Sequence, residues 1–544
     1  MSNIGSPPAC TAHRRRFLLQ LLKGATASAA FALLNPFEAI ASAPAIETTA
    51  SFNKHPKFKA NPFTLGVASG DPLADGFVLW TRLAPEPLSE DGRGGMMNET
   101  IALKWRIATD EKMQRIVKRG TALAAPQLAH SIHVEVHDLK PARDYFYQFT
   151  AGAFESEIGR AKTAPARSAN VERLAFAFAS CQHYEDGYYT ALHHLAQEDL
   201  DFVIHLGDYI YENGISKDRP RRHNSDEPTT LAGYRNRYAL YKSDRHLQAA
   251  HKQFAWIVTW DDHEVDNNYA GAIDQDDSPP AEFLQRRAAA YQAYYEHLPL
   301  RRSSLPVGAQ MQLYRRLTFG TLAEFNVLDT RQYRTDQPCG DGVKVRCAAA
   351  LDERATLTGP AQERWLLDGL GKSRARWNVV AQQLIMAQFD VKAGAAQEFN
   401  MDNWSGYVAG RNRLIGYMLR ARPSNPIVIS GDIHANFVND IKADFTDERS
   451  PTVATEFVGT SISSGGDGYD QRPESLRRLA ENPHVKFHNA QRGYVRCTLT
   501  PQTWQTDYRV VESVTKPSSA ISTRATFVVE SGTAGAKKAE GESC

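Results

Sequence analysis

Residues 202–212 read FVIHLGDYIYE, an apolar run that stops at Gly207 and delivers Asp208, Tyr209 and Tyr211 directly behind it. A short apolar run closed by glycine and an acid reads as a buried strand that empties carboxylates onto the edge of a sheet. Two further runs end in the same way: IVTW at 257–260 opens into Asp261-Asp262-His263-Glu264, and PIVIS at 426–430 opens into Gly431-Asp432-Ile433-His434. A fourth, Arg173 to Ala179, ends at Ser180-Cys181-Gln182. Ligands in open α/β sheets gather outside the carboxyl ends of strands. Four such ends carrying Cys, Asp, Tyr, Asn and His predict a metal centre.

Around these ends the pattern alternates. Helical spacing recurs at 188–197, 280–297 (with Pro280 at its start), 359–371 and 404–420, and further strands are predicted at 378–386, 427–430 and 453–458. Strands alternating with helices argue for an α/β layered domain over 171–530. Upstream, FTLGVASGDPLADGFVLWTRL at 63–83 gives two apolar runs separated by turn signals at Gly70-Asp71-Pro72 and Asp75-Gly76. Residues 101–107, 133–136 and 145–149 alternate apolar and polar, so 52–162 reads as a β-sandwich of immunoglobulin or fibronectin type. Residues 163–170 read as a linker, 213–230 and 270–280 as solvated insertions, and 531–544 as a polar, disordered tail.

The start of the chain has its own logic. Arg14-Arg15-Arg16-Phe17-Leu18 precedes an alanine-rich run, 25–34, and a small-residue cleavage site at Ala39-Ile40-Ala41. The run is too short and too weakly apolar for a bilayer-spanning helix of about 20 residues. It matches a bacterial twin-arginine signal, so residues 1–41 are read as a leader recognised by the twin-arginine (Tat) export machinery. The expected destination is the periplasm or the exterior, with no transmembrane anchor in the mature protein. Cys339 and Cys347 flank the short loop PCGDGVKVRC and suit a disulfide in an oxidising compartment, whereas Cys181 is the candidate for a free thiolate. The 544 residues are 42% hydrophobic and carry a formal charge of +1, which leaves no basic surplus for a nucleic-acid groove.

The candidate donors divide by softness. Cys181, Tyr211 and His434 offer sulfur, phenolate and imidazole, which suit a transition ion, and a Cys or Tyr ligand must be deprotonated, which favours ferric iron. Asp208, Asp262, Asn268 and Asp432 offer oxygen alone and suit Ca²⁺ or Mg²⁺. Asp208 belongs with both sets and can bridge ions about 3.5–4 Å apart. Such a pair favours attack of metal-bound hydroxide on phosphorus. Arg331, in LDTRQYR at 328–334, has the planar fork to hold a phosphate oxygen, with Arg334 a weaker candidate. His263 either protonates the leaving oxygen or orients Asp262.

Six stretches together carry a resemblance: GVASGDP at 66–72, FASCQ at 178–182, LGDYIYE at 206–212, WDDHEVDNN at 260–268, LDTRQYR at 328–334 and SGDIHAN at 430–436. In sequence and order they resemble the PhoD-type alkaline phosphatase/phosphodiesterases, from about residue 52 to 530. The resemblance implies a small β-sandwich followed by a metallophosphatase core of two sheets between helices. It implies Fe³⁺ on Cys181, Asp208, Tyr211 and His434, and Ca²⁺ on Asp208, Asp432 and an asparagine of Asn267-Asn268, with Asn268 preferred. In the more distant purple acid phosphatases the core ends in Gly-His-x-His; here Asp432 replaces the first imidazole, which favours a hard ion. The implied activity is hydrolysis of phosphate mono- and diesters. The competing enzyme is a phospholipase-D-like hydrolase of phospholipid head groups on the same centre. A competitor of another class is a calcium-dependent binding protein with an inert core.

Overall fold

A computed structural model describes residues 52–539; the proposed leader and the last five residues lie outside the described residues. Strand periodicity sets the layers. In Leu174–Ala179, LAFAFA, Phe176 and Phe178 enter one core while Ala175, Ala177 and Ala179 enter another. The neighbouring strand Phe202–His205 divides the same way, with Phe202 and Ile204 on one face and Val203 on the other. Side chains of a strand alternate between faces, so both faces of this sheet must be covered.

Two sheets meet face to face. The first has ten strands, with Leu174–Ala179, Phe202–His205 and Ala255–Val258 running parallel at its centre. The second has eight, with Ala323–Val327, Trp377–Ala381, Pro426–Ser430 and Thr452–Val458 in parallel register. Phe176 packs edge-on against Phe325 of the second sheet at 5.1 Å, within an inner core that includes Ile204, Val379, Ile429 and Phe457. Helices Thr190–Leu195, Leu231–Lys242, Arg245–Gln253 and Pro280–His297 cover the outer face of the first sheet. Helices Gly359–Lys372 and Val408–Ala421 cover the second, through Leu366, Leu370, Leu414 and Met418. This is the layered α/β domain that the alternation predicts, with the two sheets between helices that the family resemblance implies.

The amino-terminal strands differ from a self-contained sandwich. Ile101–Ala108, Ile116–Ala124, Asp144–Ala151, Phe154–Glu155 and Gly159–Lys162 form one five-stranded sheet over a core that includes Phe77, Leu79, Leu103 and Phe149. The facing strands, Val67–Leu73, Gly76–Arg82 and Ser131–Val136, instead extend the ten-stranded sheet through Ser69↔Ala255 and Gly70↔Trp256. Gly70-Asp71-Pro72, expected as a turn, lies within Val67–Leu73 at a register shift, where Arg315 holds the Asp71 carboxylate at 2.6 Å. The tail expected to be disordered is ordered as far as residue 539: Lys537–Lys538 pairs with Ile521–Glu530, and Ala536 is buried. Backbone pairing at the sheet edge outweighs its polar composition.

Helix Leu231–Lys242 was not anticipated, because YRNRYALYK buries Tyr234, Arg237, Tyr238 and Lys242 without an apolar stripe. Lys242 Nζ lies 4.1 Å from the Trp80 ring and 3.5 Å from the Tyr209 hydroxyl. Burial pushes its pKa down to about 7, against about 10.4 in an unfolded chain. Between those values the unfolded chain binds the proton and the folded chain does not, so this residue makes stability rise with pH across that window. Lys242→Met is expected to raise the melting temperature most at pH 7 and below. The gain should shrink toward zero as the pH approaches 10, which parallel thermal unfolding of the two proteins would measure.

Candidate metal centre

All four sequence-predicted strand ends converge at one end of the two central sheets. Cys181 follows Leu174–Ala179, Asp208 follows Phe202–His205, and Asp261-Asp262 follows Ala255–Val258, while Asp432 and His434 follow Pro426–Ser430 of the opposite sheet. The Cys181 N–H donates to the Gly207 carbonyl at 3.1 Å, and the Gln182 N–H to the Asp208 carbonyl at 3.0 Å. Gly207 has φ +111°, and a Cβ there would lie 2.5 Å from the Asp261 nitrogen. At Gly431 a Cβ would lie 2.5 Å from Ser180 Oγ, which is how the two sheets bring their loops together.

Cys181 (φ 60°), Asp208 (φ 56°), Asn268 (φ 53°), Asp432 (φ 63°) and His434 (φ 55°) all adopt left-handed backbone. Each such residue costs of order 1–3 kcal/mol, and this kind of strain clusters at functional sites. The turn it produces swings a side chain from the line of the strand into the space between the sheets.

The donors fall into overlapping groups. Ligating atoms of Cys181, Asp208 and His434 lie within 4.8 Å of one another, as do those of Asp208, Asp262 and His263, and those of Asp261, Asp262 and Asp432. The Tyr211 hydroxyl is 2.9 Å from Asp208 Oδ2, 3.2 Å from His434 Nε2 and 2.8 Å from Ser464 Oγ. Asp208 is common to the sulfur-containing group and an oxygen-rich one. Asn268 stands beside them: its N–H donates to Asp262 Oδ2 at 2.7 Å and its side-chain amide to Asp341 Oδ2 at 2.8 Å.

Without cations this is an unfavourable collection of charge. Burial, then Asp262 and Asp261, pushes the Asp208 carboxyl well above its usual range. Burial and Asp261 do the same to Asp432. Burial and Asp208 raise the Cys181 thiol, and burial, Asp208 and Cys181 raise the Tyr211 phenol. Burial works against the Asp262 carboxylate as well, but Arg331 and His263 hold it below the usual range. Asp208 Oδ1, Asp261 Oδ2 and Asp262 Oδ1 are buried with no hydrogen-bond partner. Buried polar atoms are nearly always paired, so these orphaned oxygens, beside a thiol, a phenol and an imidazole, fit a site built for metal ions.

The expected catalytic residues have distinct surroundings. His263 stacks on Tyr211 at 4.1 Å, and its Nδ1 is 2.8 Å from Glu212 Oε2. Burial would strip its proton, but Glu212, then Asp262 and Asp208, holds the pKa well above the ordinary value. Arg331 is fully buried: its fork engages Asp261 and both oxygens of Asp402, the latter at 2.9 and 3.0 Å. Only Nη2 lacks a hydrogen bond, and it stands 3.6 Å from Asp262 and 3.9 Å from Asp432. Arg334 is also buried, on Asp402 and the Tyr407 hydroxyl.

Several residues around the site were not singled out from the sequence. Glu264, pushed up to about 8 chiefly by burial, accepts the N–H groups of Asp208, Tyr209 and Asp261 and so fixes two donor loops at once. Its place within WDDHE was the available signal. Asp402 and Asp341 had none, because their loops reach the site only through the tertiary fold. The Cys339–Cys347 disulfide, with Cα atoms 5.8 Å apart, closes the loop that carries Asp341. Among the described cysteines, Cys181 and Cys497 are free and buried. The 213–230 insertion borders the site: His223 is buried, 5.3 Å from the His183 ring, which itself meets the Tyr211 ring at 4.5 Å.

Comparison with known proteins agrees with this architecture. Residues 176–508 match the PhoD-like phosphatase family, and residues 47–165 match its amino-terminal domain. Alkaline phosphatase D of Bacillus subtilis (strain 168) is 52% identical over 491 residues, 89% of this chain and 84% of that one. A solved structure of PhoD superimposes with a TM-score of 0.87 at 52% identity, covering 89% of this chain and 93% of that chain. Likeness at that level over nearly the whole described chain carries activity as well as fold, and the chain belongs to the PhoD-like phosphatase family as a phosphoric ester hydrolase of the alkaline phosphatase D type.

Proposed function

We propose that the enzyme hydrolyses phosphate mono- and diesters at a centre of Fe³⁺ and Ca²⁺, after export by the twin-arginine route to the periplasm or the exterior. The observation that carries the metal reading is the sharing of Asp208 between two chemically different donor groups. Cys181, Tyr211, His434 and Asp208 would hold the ferric ion; Asp208, Asp262, Asp432 and Asn268 would hold calcium. Bound there, the ions would supply Lewis-acid activation of water and neutralise charge on the phosphoryl oxygens.

The chain's own residues account for the rest. His263, kept protonated by Glu212, is placed to give a proton to the leaving oxygen. Arg331 acts mainly by fixing Asp261 and Asp402, with Nη2 as the one donor free to meet a phosphoryl oxygen. Export rests on Arg14-Arg15-Arg16-Phe17-Leu18 and on the Cys339–Cys347 disulfide, which suits an oxidising compartment. No helix of the described residues is long and apolar enough to cross a membrane. The calcium-binding protein with an inert core falls with the family assignment.

Elemental analysis and a visible spectrum test the metals together. The purified wild type should contain iron and calcium and show the charge-transfer colour of thiolate or phenolate on Fe³⁺. Cys181→Ala should lose iron, colour and turnover while retaining calcium; an active, colourless, iron-free wild type would remove the assignment. Asp432→Gly separates function from fold. It deletes a crowded carboxylate and relieves left-handed strain of about 1 kcal/mol or more. Calorimetry of chelated protein should therefore show the variant melting above the wild type, while its turnover falls by about 100-fold or more.

A further inference from the structure

Next to the donor groups is a cavity of about 370 Å³ whose lining includes His434 and Ile433. Its other walls come from separate parts of the chain: Phe389 and Val391 from the segment after Trp377–Ala381, Leu479 from helix Pro473–Ala480, and His488 from strand Val485–Gln491. Nothing in the hydrolytic chemistry above uses these residues.

The two guanidiniums in the lining are already engaged. Arg492 spends its guanidinium on the backbone carbonyls of His434, Gly465, Gly466 and Ala490. Arg478 is paired with Glu474. The rest of the lining is mixed: Phe389, Val391 and Leu479 give it an apolar face, Asn400 and Asn403 add side-chain amides, and His488 is 7% exposed with no hydrogen-bond partner for its Nδ1. Sites of roughly 300–1,000 Å³ with apolar walls and a few convergent polar groups receive organic ligands of moderate size.

We propose that this cavity binds the organic group of the phosphoric ester and selects bulky alcohols with an aromatic or alicyclic body that packs on the apolar face and a hydrogen-bonding atom that meets the polar side chains opposite. The proposal rests on the reading of the adjoining donor groups as the site of hydrolysis. His434 belongs to both spaces, so a phosphoryl group at the centre places its ester oxygen at the cavity's mouth. Small alkyl esters leave the cavity to water and gain nothing from it.

Leu479→Trp tests this by filling the cavity from a helix with no buried residue, leaving every donor untouched. The assay compares 1-naphthyl phosphate with methyl phosphate. We expect KM for the naphthyl ester to rise about tenfold or more while kcat/KM for methyl phosphate stays within about twofold. Leu479→Ala, which widens the cavity, should raise KM for the naphthyl ester by a few fold and spare methyl phosphate, with melting temperatures reporting the fold of both variants. Equal losses on both esters in both variants, or no change on either, would overturn the cavity's role and leave the centre standing. A wild type that hydrolyses neither ester would overturn the reading of the centre and the proposal with it.

Discussion

Arg331 brings one positive charge into a dry space that it shares with Asp261, Asp262, Asp402 and Asp432. Its side chain is inaccessible to water and those of Asp261, Asp262 and Asp402 are nearly so, whereas Asp432 keeps partial access to solvent. Desolvating a carboxylate costs several kcal/mol, and a single guanidinium cannot repay that for four of them. The remainder shows as raised pKa values at Asp208, Asp261 and Asp432 and as carboxylate oxygens without partners. Much of the surrounding structure reduces to holding that unbalanced charge in place. Glu264 ties the Asp208 and Asp261 loops to each other, and Asp402 ties Arg331 to Arg334.

Backbone geometry adds a second cost at the same place. Five of the candidate ligands are non-glycine residues in left-handed conformation, from four separate loops. An isolated loop would relax out of that region. These cannot, because each is anchored at a parallel strand on one side and by hydrogen bonds across the site on the other, as Cys181 is to Gly207 and Arg492 is to the His434 carbonyl. The inner core, with Phe176 against Phe325 and Ile429 beside Phe457, supplies the rigidity that makes this strain sustainable.

The strand ends were legible because their signal is local: a buried run that breaks off directly into donor residues, at Gly207 and Gly431 through a glycine. That placed Cys181, Asp208, Tyr211, Asp262, Asp432 and His434 at strand ends that converge, and the alternation in LAFAFA also reflects the two cores directly. Helix Leu231–Lys242 was hidden because its buried face is made of tyrosine, arginine and lysine rather than an apolar stripe. The pairing of Val67–Leu73 with Ala255–Val258 joins residues nearly two hundred positions apart and has no local trace. Asp341 and Asp402 escaped for the same reason. Their loops are joined through the pairing of Val343–Lys344 with Phe399–Asn400, and Gln337 links both to the Asn268 turn by donating to the Asn268 carbonyl and to Asp402.

The division of donors between sheets has a thermodynamic consequence. Cys181, Asp208, Tyr211 and Asp262 come from the first sheet, and Asp432 and His434 from the second. Neither half assembles the proposed site alone, so any ion that binds there binds the docked sheets and not the open chain. Its binding free energy then adds to the stability of the interface between them. The crowded carboxylates oppose docking on their own, and cations held among them would reverse that sign. Occupancy of the centre and docking of the two sheets are thereby linked: whatever favours one favours the other by the same free energy.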